Sequence, residues 1–257
     1  MDRREQAQRV AEACIKRLKE RYPVKSVALC GSLAGEGPWH SRSDIDLVVE
    51  GLAQQDYFAA LTELLDLLPP WLELDLIQLE NAPPGLVRRI RGEEKMPEDP
   101  KQALEVEMRE QLESLERVVQ RIQEYLPRAP AQPPELELEG VGKLVHDFYN
   151  GVERIFERIA ARVDEDVPPG PYWHTDLLQR MEGTWGGKRP PVIDHALALQ
   201  LLEYLRFRHL FRHTYGYELL WKHLQPLAAG IPPIFEELRR KLQAFLSGLS
   251  GPSQRGQ

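Results

Sequence analysis

The sequence predicts two domains in series: an α/β domain with a small mixed sheet flanked by helices, then an all-α helical bundle. Three observations carry this. Short β-branched runs occur only early in the chain, the charged segment Gly92–Pro100 has two prolines and no periodicity, and the apolar residues after it recur at helical spacing. At about 150 residues per domain, 257 residues leave room for a second core but not a third. The boundaries are expected at 1–96 for the first domain and 97–250 for the second, with a flexible Gly/Ser/Gln-rich tail at 251–257.

From Arg3 to Tyr22, the apolar positions Ala7, Val10, Ala11, Cys14, Ile15 and Leu18 make an amphipathic helix that Pro23 stops. Val24 to Cys30 reads as a strand entering a tight turn at Gly31-Ser32. A second strand is expected at Ile45–Val49, and a helix from about Tyr57 to Leu68 ends at Pro69-Pro70. Trp71 to Leu79 alternates, with Leu72, Leu74, Leu76 and Gln78 on one face, as a strand at the side of a sheet does. A short helix over Gly85–Arg91 closes the unit.

Beyond the boundary, residues 101–126 and Val141–Val163 are long helices separated by the Pro-rich break at Arg128–Pro134. A short helix is expected at Tyr172–Met181 and a long one at Val192–Tyr215, with Gly216 at its C-cap. Segments near 217–227 and 232–247 are read as two further helices.

Composition narrows the function classes. No stretch reaches the roughly 18 apolar residues of a membrane span and no apolar signal core follows the charged N-terminus, so the expectation is a soluble cytoplasmic protein without a membrane partner. The two cysteines, Cys14 and Cys30, support neither a disulfide framework nor a cysteine metal site, and read as buried small hydrophobes. The net charge of −7 argues against a uniformly basic, nucleic-acid-coated surface, yet residues 186–257 carry 10 Lys+Arg against 5 Asp+Glu.

Two segments carry chemistry. In the first, Gly31-Ser32 precedes Ser43-Asp44-Ile45-Asp46-Leu47. Carboxylates two residues apart on a strand share a face and repel unless a divalent cation lies between them; a Gly-Ser turn offers N–H groups and a hydroxyl to phosphate. Asp75, centred in the next strand, could reach the same cation, and three acids on neighbouring strands suit a two-metal nucleotidyl transfer. An Asp-x-Asp alone is as readily a solvated strand start.

The second segment is Arg206-Phe-Arg208-His209-Leu-Phe-Arg212-His213-Thr-Tyr215-Gly216, a concentration of arginine and histidine able to hold a phosphodiester and move protons. The plainer reading is a solvated basic helix face. Arg208 and His213 are roughly 140° apart on a straight helix, so they converge only at a helix end or with help from a second subunit. His146, His174, Trp39 and Trp71 read as packing or anchoring residues.

The first pattern, Gly-Ser followed by Asp-x-Asp and a third Asp on a later strand, resembles the nucleotidyltransferase family related to DNA polymerase β, in its minimal, antitoxin-type form. That resemblance implies that Gly31 and Ser32 hold the phosphates of ATP, that Asp44 and Asp46 bind Mg²⁺, and that Asp75 is the third metal-site acid and assists the nucleophile. Eleven residues separate Ser32 from Asp44, one more than is usual there. Arg208-x4-His213-x-Tyr215 is similar to the motif of HEPN ribonucleases of the HepT toxin type, as are the segments around His146-Asp147 and Trp173-His174. Arg206-x6-His213 satisfies the same pattern, so either arginine could be the catalytic one.

The second resemblance implies metal-independent RNA cleavage by Arg208 and His213, and a homodimer or higher homo-oligomer formed through the helical domain. HepT toxins are typically encoded beside such an antitoxin, which transfers AMP from ATP to the Tyr of the motif. The two resemblances together imply a fused toxin–antitoxin protein in which the nucleotidyltransferase domain adenylylates Tyr215 and silences the ribonuclease. Two alternatives stay open: a small-molecule, aminoglycoside-type nucleotidyltransferase with a helical accessory domain, and a catalytically inactive HEPN interaction module.

Overall fold

A computed structural model describes residues 2–40, 42–213 and 219–249, apart from the side chains of Arg212 and His213. The expected flexible tail at 251–257 and the expected C-cap at Gly216 lie outside the described residues. The chain divides into two compact units, Met1–Pro97 and Glu98–Gln257.

The first unit is a small three-layer α/β fold. Helix α1 (Arg3–Arg21) buries Ala7, Ala11, Cys14 and Leu18, which recur on one face, and turns its charges outward. Strands β1 (Ser26–Cys30), β2 (Ile45–Glu50) and β3 (Leu74–Gln78) form one mixed sheet in the order β1-β2-β3. β2 runs antiparallel to β1 and parallel to β3, a crossover made through helix α2 (Tyr57–Leu65).

Alternation along the central strand sorts its side chains. Ile45, Leu47 and Val49 pack with Ala7, Ala11 and Leu18 of α1 and Ala60 and Leu64 of α2. Val48 points to the opposite face, with Cys30 and with Leu86 of helix α3 (Pro84–Ile90). Asp46 is two residues before Val48 and therefore shares the α3 face. Both cysteines are buried.

The second unit is all helix around one core. Pro100 sits in the first turn of helix α4 (Pro100–Tyr125), and Asp99 caps it by accepting from the backbone N–H groups of Lys101 and Gln102 at 3.1 and 2.9 Å. Helix α5 (Glu135–Ile159) starts six residues before the expected Val141 and buries an apolar face that includes Phe148, Val152, Ile155 and Phe156. It runs into a π turn at Ala160–Asp164, closed by Glu165 in the left-handed region at φ 57°. Arg189 and Asp164 form a fully buried ion pair that ties the following loop to this turn.

Helices α6 (Trp173–Glu182), α7 (His195–His213) and α8 (Trp221–Leu249) complete the bundle. α8 is one helix where the sequence reading expects separate segments near 217–227 and 232–247. Its interior holds Pro226, Pro232 and Pro233, each of which costs roughly 3 kcal/mol or more. A buried stripe of Leu224, Ile231, Ile234, Phe235, Leu238, Leu242 and Phe245, at about 1.5–3 kcal/mol per side chain, outweighs that penalty. Among the described residues no helix is long and apolar enough to cross a membrane.

Candidate functional site

Strand register gathers the acids of the first unit. Asp46 lies opposite Cys30 of β1 on one side and opposite Asp75 of β3 on the other, and Asp44 precedes β2 by one residue. One carboxylate oxygen from each of Asp44, Asp46 and Asp75 lies within 4.8 Å of the others, and all three residues are half-buried. Hard oxygen donors at that spacing suit Mg²⁺. Burial, then the charge of Asp46, pushes the Cys30 thiol up, so a sulfur next to the acids stays protonated.

The turn after β1 fits closely around these acids. Gly31 adopts φ +72°, and a Cβ built there would stand 2.2 Å from Asp46 Oδ2, so any side chain would collide with the carboxylate. The Gly31 N–H donates to Glu36 Oε2 at 2.9 Å, and the Ser32 carbonyl accepts from Gly35 N–H at 3.2 Å. The N–H expected to meet phosphate thus already meets a carboxylate, Glu36, that the sequence reading passed over.

Before β2, His40 N–H donates to Ser43 Oγ and His40 Nδ1 accepts from the Arg42 N–H, a tight arrangement that delivers Asp44 to the strand. Burial, then the Arg42 charge, pushes the His40 imidazole down to about 4. Tyr57 donates to the Leu76 carbonyl at 2.8 Å; burial and then Asp75 raise its phenol.

In the second unit Arg208 is buried at 8% exposure. Its Nε donates to Asn150 Oδ1 at 2.8 Å, one terminal nitrogen is 3.1 Å from His174 Nε2, and the other stands 3.4 Å from Glu153 Oε1. Because arginine only donates, His174 Nε2 must accept, so its Nδ1 carries the proton shared with Glu153 Oε2 at 2.6 Å. The same logic orients Asn150: its oxygen faces Arg208, so its amide NH₂ faces His146 Nδ1 at 3.2 Å.

Arg206, the alternative arginine, is exposed and pairs with Glu203 at 2.6 Å. His209 is exposed with its ring edge-on to His174. The side chain of His213 and all of Tyr215 lie outside the described residues.

Of the partners of Arg208, His174 reads in the sequence as a packing residue, and Asn150 and Glu153 belong to no motif. A signal was present, since His146, Asn150 and Glu153 recur at i, i+4 and i+7, a polar stripe on a helix whose other inward positions are apolar.

Residues 12–96 match the family model for polymerase beta nucleotidyltransferases, and residues 140–249 match the model for HepT-like protein. No curated protein and no solved structure matches the chain significantly.

Proposed function

Because this chain joins a polymerase-β-type nucleotidyltransferase domain to a HepT-like domain, a combination that fits a toxin–antitoxin pairing, we propose that it is a fused toxin–antitoxin protein of the cytoplasm. In this reading the first domain transfers AMP from ATP to Tyr215, and the modification silences a ribonuclease in the second. The observation that carries it is the convergence of Asp44, Asp46 and Asp75 inside the segment matched to nucleotidyltransferases, followed in the same chain by the HepT-like match.

Asp44, Asp46 and Asp75 would hold Mg²⁺, which when bound supplies charge neutralisation at phosphate and pyrophosphate oxygens. Gly31 and Ser32 would bind the phosphates through backbone N–H and hydroxyl. The Tyr215 oxygen attacks the α-phosphorus, the bond to the β-phosphate oxygen breaks, pyrophosphate leaves and Asp75 takes the phenolic proton.

In the helical domain an RNA 2′-hydroxyl attacks the adjacent phosphorus, His213 takes the hydroxyl proton, and the Arg208 guanidinium stabilises the developing charge without a metal. Two copies pair through this domain. AMP on Tyr215 places bulk and negative charge two residues from His213, where RNA phosphate must enter.

Incubation of the full chain with Mg²⁺ and ATP should add AMP mass to the peptide carrying Tyr215, and the Asp44→Ala chain should add none. A wild-type chain that stays unmodified under conditions where ATP is bound would overturn the transfer reading.

A further inference from the structure

Helix α7 keeps one face out of the bundle, and the residues on that face form a pattern that maps onto itself when reversed. Leu199, Glu203, Arg206 and Leu210 follow one another at spacings of four, three and four, so at about 100° per residue they lie within about 60° of one another. All four are exposed, the two leucines at 52% and 57%. Leu197, Leu201, Tyr204, Leu205 and Arg208, on the opposite side of the helix, are buried.

A leucine alone on a surface needs no partner. What singles these out is symmetry. Reversal about the midpoint between Glu203 and Arg206 carries Leu199 onto Leu210 and Glu203 onto Arg206. Two copies of α7 packed antiparallel about a two-fold axis at that midpoint therefore set Leu199 of each against Leu210 of the other, and Glu203 of each against Arg206 of the other. Glu203 and Arg206 already pair within one chain at 2.6 Å, so the four charges form a square that alternates in sign, with like charges on the diagonals.

The same charges select the register. Sliding one helix by three residues sets Glu203 on Glu203 or Arg206 on Arg206, and parallel pairing in register sets both like pairs together. Only the antiparallel arrangement centred between the two residues joins opposite charges at the middle and leucine to leucine at both ends.

We propose that this face of α7 is the surface through which two copies of the chain pair, antiparallel, with Leu199 on Leu210 and Glu203 on Arg206. This rests on the reading that two copies pair through the helical unit. At 1.5 Å per residue the C-terminal ends of the paired helices, at His213, stand about 25 Å apart along the axis. Arg208 lies on the side of α7 turned away from the partner helix, so the dimer keeps two Arg208 centres, each built within one copy from α5, α6 and α7.

The test measures the mass of the full chain by sedimentation equilibrium at roughly 50 µM, since one helix face is at the small end of specific interfaces. The parent should weigh twice the 29.6 kDa of one chain. Glu203→Arg and Arg206→Glu each put like charges across the axis and should weaken pairing by about tenfold or more. An equimolar mixture of the two variants should pair again, because one then offers only arginines and the other only glutamates. In a separate chain, Leu199→Cys together with Leu210→Cys should cross-link two copies on mild oxidation. Either cysteine alone, about 16 Å along the axis from its own counterpart, should not. The native Cys14 and Cys30 are buried, and the parent chain is the blank. Single charge variants that stay dimeric, a mixture that stays monomeric, or a cross-link from either cysteine alone overturns this surface while leaving pairing through the helical unit standing. A parent chain that is monomeric at that concentration overturns both.

Discussion

The two polar centres of this chain follow opposite electrostatic plans. In the α/β unit, strand register brings three carboxylates within 4.8 Å of one another, and the turn beside them adds Glu36. In the helical unit, Arg208 is met by a carboxylate, an amide oxygen and an imidazole nitrogen, each suited to accept from it. Gathering like charge raises the energy of the fold until a cation arrives; pairing opposite charge ties three helices together with no guest needed. The first arrangement leaves charge for a ligand to neutralise, whereas the second is already satisfied within the fold, so a phosphodiester reaching Arg208 has to compete with Asn150, His174 and Glu153.

The largest predicted effect tests the second half of that contrast. Glu153 accepts from His174 and pairs with Arg208 at 7% side-chain exposure, so Glu153→Ala strands a buried guanidinium and an imidazole N–H at once. Removing one partner of a buried pair costs about 3–5 kcal/mol. At about 2–4 °C per kcal/mol, the midpoint of the helical unit should fall by about 10 °C in calorimetry, equally with and without Mg²⁺. A loss below about 1 kcal/mol in chemical denaturation would mean that the cluster does not organise the bundle and that the contrast fails.

How much of this could be read from sequence follows the same division. Asp44, Asp46 and the preceding Gly31-Ser32 are local, so strand period and turn chemistry displayed them directly, and Asp75 needed only the placement of one further strand. The centre at Arg208 is assembled from α5, α6 and α7, with Asn150 and Arg208 separated by 58 residues, and no periodicity states which side chains three helices will bring together. Glu36 was missed for another reason. Its contact with the Gly31 N–H depends on the course of the turn, which Gly31 sets through its positive φ. The merging of two expected helices into α8 shows the same limit, since proline propensity is local and the buried stripe that overrides it is not.

A second prediction concerns pH and the α/β unit. His40 is held down to about 4 in the folded chain against an ordinary value of 6.5, by burial first and Arg42 second. Between those values the unfolded chain binds a proton that the folded chain refuses, so stability falls as pH drops through this window and is indifferent to His40 above it. At about 1.36 kcal/mol per pH unit the loss is up to about 3 kcal/mol. His40→Gln should therefore flatten the decline in unfolding midpoint of this unit between pH 6.5 and 4, with no change at pH 8. An identical decline in both chains would show that the pairing of His40 with Arg42 and Ser43 tolerates protonation.

The smallest effect bears on the first half of the contrast and turns on Glu36. Its carboxylate accepts from the Gly31 N–H at 2.9 Å, the donor proposed above for nucleotide phosphate. If the carboxylate occupies the place of that phosphate, nucleotide must displace a charged acceptor on entry. Glu36→Gln keeps an oxygen for the N–H but removes the charge, and a charge-assisted bond is about twice as strong as a neutral one. ATP should then bind about three- to tenfold tighter in a titration with Mg²⁺, a gain of about 1 kcal/mol. If instead Glu36 is a fourth oxygen ligand, alongside Asp44, Asp46 and Asp75, the same substitution weakens Mg²⁺-ATP binding. The sign of the change therefore decides whether the like charge in this turn receives the metal or stands in for the phosphate.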